Sequence, residues 1–208
     1  MEDVLEVYTQ PYDPRRPQVC MDETSKQLLS DLRQSLPVQA GQPERIDYEY
    51  QREGVADLFM FFEPLAAKRF VKVTDQRTRE DWAQAMKELA DERYPQAEKI
   101  VMVMDNLNTH SPASFYETFE PEEARRLTNR FEFHLTPKHG SWLNMAEIEL
   151  GVIIRQCLSR RIADKKTLET EVNAWQNERN AKVSKVDWRF KTADARIKLK
   201  HLYPVIQV

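Results

Sequence analysis

The sequence feature that most restricts the fold is a run of five apolar residues, IVMVM at 100–104, which ends on an acid, Asp105. A strand with one face in solvent alternates apolar and polar residues, whereas a continuous apolar run indicates a strand covered on both faces. Such a strand belongs at the centre of a sheet that carries helices on its two sides. The run therefore predicts an α/β domain in which Asp105 lies at the carboxyl end of a central strand.

Other strand-like and helix-like segments surround this run. Further strands are predicted at 17–24, 45–52, 55–64, 68–75 and 131–137. The three middle segments follow one another, with a turn at EPLAA between the last two, which predicts an antiparallel meander. Helices are predicted at 78–94, 112–119, 121–130, 144–161 and 164–180. The chain has only 4 glycines and no glycine-rich loop that could hold a nucleotide phosphate.

Charge is distributed unevenly along the chain. Residues 151–208 carry 13 Lys and Arg against 6 Asp and Glu, although the whole chain has a net charge of −3. A basic carboxyl-terminal part beside an acidic body fits a surface that meets an anionic polymer, next to a site that attracts cations. A pair of solvated basic helices is the structural alternative that charge alone leaves open. The two cysteines, Cys20 and Cys157, are far apart in sequence and are predicted to be buried apolar residues.

Three acids are predicted to lie at the ends of strands or at the start of a helix. Asp22 ends the segment VCMD, Asp105 ends VMVMD, and Glu147 enters a helix after SWLNMA. Ligands of open α/β sheets bind at the carboxyl ends of the parallel strands, so these carboxylates are expected to form one cluster. Without cations such a cluster repels itself, and Mg²⁺ prefers oxygen ligands of this kind. Two such ions, about 3.5 to 4 Å apart, can clamp the attacking and leaving oxygens of a phosphoryl displacement.

Each acid also has a purely structural explanation. Asp105 could begin a turn, and Asp22 could end an ordinary strand. Asn144 stands three residues before Glu147, a capping pattern in which the glutamate binds the backbone of the helix start. Glu149 competes with Glu147 for the functional role, because both lie in the first turns of the same predicted helix. Two positions separate them by about 200° around the helix, so one cluster cannot use both equally.

Three motifs carry a resemblance to a known family. DE at 22–23, MDNLNTH at 104–110 and TPKHGSWLNMAEIE at 136–149 resemble the catalytic domain of DDE transposases of the mariner superfamily, on its bacterial insertion-sequence branch. SWLNMAE is similar to the stretch often written S-P-D-L-N-P-I-E, which aligns Glu147 with the third catalytic acid. The likeness extends from about Gln18 to the end of the chain. The interval from Asp105 to Glu147 is longer than usual in the superfamily, and the extra length falls in ETFEPEEARR.

The resemblance implies a fold, an activity and a set of ligands. The implied fold is α/β and ribonuclease-H-like, a mixed sheet with an antiparallel meander plus parallel strands, flanked by helices. The implied activity is that of a transposase, a metal-dependent endonuclease that cuts transposon ends and transfers strands into a TA target. Asp22, Asp105 and Glu147 would be the catalytic residues and would hold two Mg²⁺ or Mn²⁺ ions. Double-stranded DNA is the implied partner, and a homodimer is the expected active form.

Further residues are predicted to support this site. His110 is expected to steady Asp105 through a hydrogen bond, and Asn144 to stand beside the acid of its helix. Contacts to DNA are predicted for Lys138, His139, Trp142, Arg155, Arg160 and Arg161. The alternatives are an exposed loop for the first two residues and a tryptophan packed on the core for the third.

The sequence favours one catalytic domain at 18–208 after a lead segment at 1–17. Superfamily members carry helix-turn-helix modules before the first acid, and nothing of that kind fits before Asp22, so such a reader is expected on a separate chain or lost. No apolar run is long enough for a membrane span, and a cytoplasmic, nucleoid-associated location is expected. Two other functions stay open: a catalytically weak relic that acts as a binding or assembly module, and a structure-selective nuclease of the same fold.

Overall fold

The computed structural model describes residues 1–33, 37–43, 48–107 and 110–203, which fold around one mixed sheet. Its strands are β1 (Gln18–Asp31), β2 (Tyr50–Glu63), β3 (Lys68–Thr74), β4 (Ile100–Met104) and β5 (Phe131–Leu135). Their spatial order is β3-β2-β1-β4-β5. The pairs β1/β2 and β2/β3 are antiparallel, whereas β1/β4 and β4/β5 are parallel. The predicted α/β fold, with a meander followed by parallel strands, is confirmed.

β1 and β2 form a longer hairpin than the sequence predicts. β1 continues past 24 to Asp31, and β2 is one strand instead of two separate ones at 45–52 and 55–64. Of the predicted strand at 45–52, residues 45–47 lie outside the described residues. The outer half of the hairpin is held by the backbone ladder, which continues to the pair Asp31 and Tyr50. Gly54 allows an irregularity in this ladder, because its φ of +122° is one that side-chain-bearing residues rarely adopt.

Helices cover both faces of the sheet. They are α1 (Glu2–Val7), α2 (Arg79–Glu88), α3 (Pro112–Thr118), α4 (Pro121–Arg130), α5 (Met145–Ile153), α6 (Lys165–Ala181) and α7 (Thr192–Lys198). α2 begins with a capping box, in which Thr78 accepts from the backbone of Asp81 and the Asp81 carboxylate accepts from that of Thr78. α2 and α5 each continue into a π-helical turn, at Leu89–Arg93 and Ile154–Leu158.

Two apolar cores lie on opposite faces of the sheet. One is formed with residues of α1, α5, α6 and α7, and the other with residues of α2, α3 and α4. Val101 and Val103 of β4 belong to the first core, whereas Met102 and Met104 belong to the second. The prediction that β4 is covered on both faces is therefore confirmed.

The lead segment is packed into the same body as the sheet. Val4 and Leu5 of α1 are fully buried in the first core. Cys20 and Cys157 are buried as predicted. Among the described residues, no helix combines the length and the apolar character needed to cross a bilayer.

Candidate active site

Asp22 and Asp105 lie side by side where the parallel strands diverge. Cys20 of β1 is paired with Val103 of β4, and each aspartate stands two residues beyond this pair. The prediction that Asp22 ends its strand is wrong, because β1 continues and pairs Asp22 with Met60 of β2. The position of Asp22 beside the end of β4 is nevertheless the one expected for a ligand crevice. Asp105 follows directly after β4 and is partly exposed.

Asn144 joins the start of α5 to β1 beside Asp22. Its Nδ2 donates to the backbone oxygen of Met21 at 2.7 Å and to Asp22 Oδ2 at 3.4 Å. Its Oδ1 accepts from the backbone N–H of Ala146 at 3.1 Å and so caps the helix. Glu147 lies in the first turn of this helix and is exposed. One buried amide therefore fixes the distance between the helix that carries Glu147 and the strand that carries Asp22.

Asp22 is partly buried and surrounded by other acidic side chains. Burial raises the pKa of Asp22 to about 7, and the backbone N–H of Glu23 only partly opposes this rise. The negative charges of Glu23, Asp105 and Glu147 raise the pKa of Asp22 further. Neighbouring carboxylates at the carboxyl end of a parallel strand repel one another. Hard divalent cations relieve this repulsion and therefore suit such a group of oxygen ligands.

Glu149 has a different environment from Glu147. Its carboxylate is 1 % exposed and accepts from the guanidinium groups of Arg69, at 2.8 and 2.9 Å, and of Arg179, at 3.0 and 2.9 Å. Burial by itself would raise the pKa of Glu149, but these two arginines outweigh it and the net effect is a lowered pKa. Both carboxylate oxygens of Glu149 are thus engaged in a buried ion-paired network.

A second polar cluster lies on the other side of Asp105. His110 Nδ1 donates to Asp105 Oδ1 at 2.9 Å, which is the hydrogen bond that the sequence analysis predicts. His110 Nε2 lies 3.2 Å from Glu23 Oε2, and the imidazole ring stacks on Trp82 with 5.8 Å between centroids. Glu23, Asp105 and His110 present ligand atoms within 4.8 Å of one another. Arg77 reaches the same cluster, 3.6 Å from Glu23 Oε1.

Glu23 belongs to the DE motif at 22–23, but no sequence pattern predicts that it is part of the site. The available signal is the strand period of two, because it puts Glu23 on the opposite face of β1 from Asp22. The burial of Glu23 arises only when α2 and α3 pack on that face of β1, so it cannot be predicted from the sequence around Glu23.

The loop before α5 lies beside the end of β4. The backbone N–H of Thr136 donates to the backbone oxygen of Met104 at 2.9 Å, so the loop starts next to Asp105. Lys138 and His139 are exposed in it, and His139 has a φ of +64°. At Gly140 a Cβ would come within 2.7 Å of the Pro137 ring, so this tight turn requires glycine.

Trp142 is 41 % exposed and packs on aromatic residues of the carboxyl-terminal part. Its ring stacks on Trp188, with 6.4 Å between centroids, and meets the edge of Phe190 at 5.4 Å. The side chain is therefore partly packed and partly accessible.

Two of the arginines predicted to contact DNA are engaged within the chain. Arg160 pairs with Glu171. Arg161 pairs with Asp31 at 2.5 Å and donates to backbone oxygens of the segment before β2. Arg155 is exposed on the turn that follows α5.

Solved transposase structures share this fold. The Mos1 mariner paired end complex with Mn matches with a TM-score of 0.55 and 15% identity, over 86% of this chain and 54% of that chain. The Mos1 strand transfer complex matches with a TM-score of 0.57 and 13% identity, over 86% of this chain and 55% of that one. The present chain thus spans about half the length of the Mos1 chains that it matches.

Sequence comparison gives the family. No curated protein matches the chain significantly. The family model described as DDE superfamily endonuclease matches residues 17–169, which is well over half of the chain. The predicted resemblance to DDE transposases and the ribonuclease-H-like fold are both confirmed, whereas the bacterial insertion-sequence branch stays a prediction. The chain belongs to the DDE superfamily endonucleases.

Proposed function

We propose that this chain is the catalytic domain of a transposase that hydrolyses phosphodiester bonds at transposon ends and transfers the cut strands into target DNA, at TA sites. The observation that carries the proposal is the arrangement of Asp22 and Asp105 just beyond the last parallel pair of β1 and β4, with Asn144 holding the start of the Glu147 helix beside Asp22. Family membership and the likeness to Mos1 complexes support the same reaction class.

In this proposal Asp22, Asp105 and Glu147 are the catalytic acids and hold two Mg²⁺ or Mn²⁺ ions. Divalent cations, when bound, supply Lewis acidity for the attacking and leaving oxygens of a phosphoryl displacement. The carboxylates of Asp22 and Asp105 come from neighbouring strands of a rigid sheet, and rigid elements hold ligands in position better than loops do. The surplus of negative charge at Asp22 supports the fit of this donor set to hard cations.

Neighbouring side chains hold these acids in place. The His110 imidazole binds one oxygen of Asp105 and leaves the other free of that hydrogen bond. The Asn144 amide keeps α5 against β1, so that Glu147 stays beside Asp22. In the proposal Lys138 and His139 bind backbone phosphates next to the acids, and Trp142 offers its accessible face to a base.

The proposed partner is double-stranded DNA, at transposon ends and at the target, and the proposed location is the nucleoid in the cytoplasm. The Mos1 structures are a paired end complex and a strand transfer complex, which supports the expectation that two copies of this chain act together. The catalytic domain is assigned to 18–208.

Nicking of DNA by the full chain tests the proposal. Wild-type protein is expected to nick supercoiled plasmid in the presence of Mn²⁺, and Asp105→Asn to reduce the rate by at least about 100-fold, because a metal ligand is lost. Asp91→Asn is the matched control, since Asp91 is paired with Arg126 on the outer surface of α2 and its π-helical turn. Circular dichroism checks that both variants fold. Nicking by Asp105→Asn at the wild-type rate would contradict the proposal.

A further inference from the structure

Glu23 is a buried carboxylate with an unsatisfied oxygen. Its side chain is only 5 % exposed. Among the described residues its Oε2 has no hydrogen-bond partner, because the contact with His110 Nε2 has ion-pair distance but lacks hydrogen-bond alignment. Burying a carboxylate without full pairing is energetically unfavourable. A residue kept under these conditions beside a cluster of acids calls for a role other than packing.

The contacts of Glu23 lead to Asp105 through one imidazole. Glu23 Oε2 lies 3.2 Å from His110 Nε2, and His110 Nδ1 donates to Asp105 Oδ1 at 2.9 Å. The His110 side chain is 2 % exposed, and its ring is stacked on Trp82. Arg77 pairs with the other oxygen of Glu23. The ring is therefore hydrogen-bonded at Nδ1, faces the Glu23 carboxylate at ion-pair distance with Nε2, and is stacked on one face.

The two ring nitrogens face two different carboxylates. A cation bound at one nitrogen would have to displace the contact made there, and the other nitrogen would point away from it. The arrangement suits an imidazole that orients a carboxylate better than one that ligates a metal itself. Carboxylates that bind metals are commonly oriented by such outer hydrogen-bond partners, and loss of a partner typically costs 10–100-fold in metal affinity or activity.

We propose that Glu23 is a positioning residue, which fixes the His110 ring and through it the carboxylate of Asp105 relative to Asp22. The inference rests on the proposed function, since it takes Asp105 to be a metal ligand. It adds a component on the face of β1 opposite to Asp22, so the site is supported from both faces of the sheet.

A double-mutant cycle on the full chain tests this role. Mn²⁺ affinity is measured by electron paramagnetic resonance for wild type, Glu23→Gln, His110→Asn and the double variant, with thermal unfolding in chelator as the check on folding. Glu23→Gln keeps the shape and is expected to weaken Mn²⁺ binding by about tenfold. The double variant is expected to bind no more weakly than His110→Asn alone, because Glu23 acts through the ring.

Glu63→Gln is the matched control. Glu63 is also a buried strand glutamate, 2 % exposed and bonded to Tyr94 at 2.9 Å, but it belongs to β2 and is paired outside the acid cluster. It is expected to change thermal stability and to leave Mn²⁺ affinity at the wild-type value. A purely structural role of Glu23 would give the same result as this control and would overturn the proposal.

Two other results would also overturn it. Additive losses in the double variant would mean that Glu23 binds the cation on its own. Pulsed spectra of Mn²⁺ bound to wild type could show coupling to a nitrogen nucleus. If that coupling is lost in His110→Asn, the imidazole ring is itself a metal ligand. This measurement does not depend on how well Glu23→Gln folds. If wild type neither binds Mn²⁺ nor nicks DNA, the proposed function itself fails, and the positioning role falls with it.

Discussion

Glu147 and Glu149 illustrate how two like residues on one helix acquire different roles. Glu147 is exposed beside Asp22, whereas Glu149 is held by Arg69 and Arg179 with 1 % of its side chain exposed. The sequence allows both as the third acid, because each fits the first turns of α5. Only the packing of β3 and α6 against this helix separates them, since it brings the two arginines to one carboxylate.

These environments predict opposite phenotypes for one chemical change. Glu149→Gln is expected to lower the free energy of unfolding by about 3 to 5 kcal/mol, because it leaves the buried guanidinium of Arg69 without its counter-charge. Glu147→Gln is expected to leave stability within about 0.5 kcal/mol and to abolish nicking. Urea unfolding and the plasmid assay measure the two effects. A stable but inactive Glu149→Gln protein would reverse the assignment.

The site residues differ in how far sequence alone can predict them. Asp105 is predictable, because an apolar run that stops on an acid marks the end of a strand covered on both faces. Asp22 is recognised as an acid of the site, but its position inside a longer strand depends on pairing with β2, which has no local signal. Glu23 and Arg77 come together only in the folded chain, so no spacing between them predicts their contact.

At the scale of elements, the contacts of Asn144 with β1 and α5 determine the geometry of the site. We call this connection the β1–α5 joint. Asn144 uses its amide oxygen to cap the helix and its amide nitrogen to bind the strand. Asparagine before a helix is a common N-cap residue, so the first of these contacts has a local signal. The second contact, from the amide nitrogen to the backbone oxygen of Met21, joins residues 123 positions apart, so no local sequence pattern can predict it.

Replacing this amide tests the joint. Asn144→Ala is expected to cost about 1 to 2 kcal/mol of stability for the lost cap, and more if the backbone oxygen of Met21 stays buried without a donor. Mn²⁺ affinity and nicking are expected to fall by more than the stability loss explains. Asp164→Ala is a suitable control, because Asp164 caps α6 in a similar way through Thr167 and lies on another helix. Equal effects of both variants on nicking would argue against the joint.

The two long strands of the hairpin show the limits of prediction for elements. The inner part of β2 is apolar and predictable, but its outer part at 50–55 is exposed, and so side-chain pattern carries little information there. Backbone pairing with β1 maintains that part of the strand. The short strands β3, β4 and β5 agree with prediction to within two residues at their ends, and each is paired along its length with a neighbour in the sheet.

At the scale of the molecule, the basic residues predicted to contact DNA differ in whether an acid of the same chain already pairs with them. Intramolecular pairing divides the basic residues into two groups. Arg160 and Arg161 are paired with acids of α6 and β1, whereas Lys138 and Arg155 are exposed near the two ends of α5. The second group has the freedom that phosphate binding requires.

The salt dependence of DNA binding tests this division. Arg155→Ala is expected to weaken binding to duplex DNA and to reduce the slope of log affinity against log salt by about one. Arg160→Ala is the matched control and is expected to leave the slope unchanged, because its charge is already paired with Glu171. Fluorescence anisotropy at several salt concentrations measures both. A larger change in the control than in Arg155→Ala would show that the paired arginines are the ones that meet DNA.

The network of Arg69, Glu149 and Arg179 also has a consequence for the lifetime of the folded state. Its contacts join residues 80 and 30 positions apart, so they can close only after β3, α5 and α6 have come together. Interactions that form after the rate-limiting step of folding slow unfolding and have little effect on the rate of folding. The instability expected for Glu149→Gln should then appear mainly as faster unfolding. The network would thus set how long an assembled molecule persists.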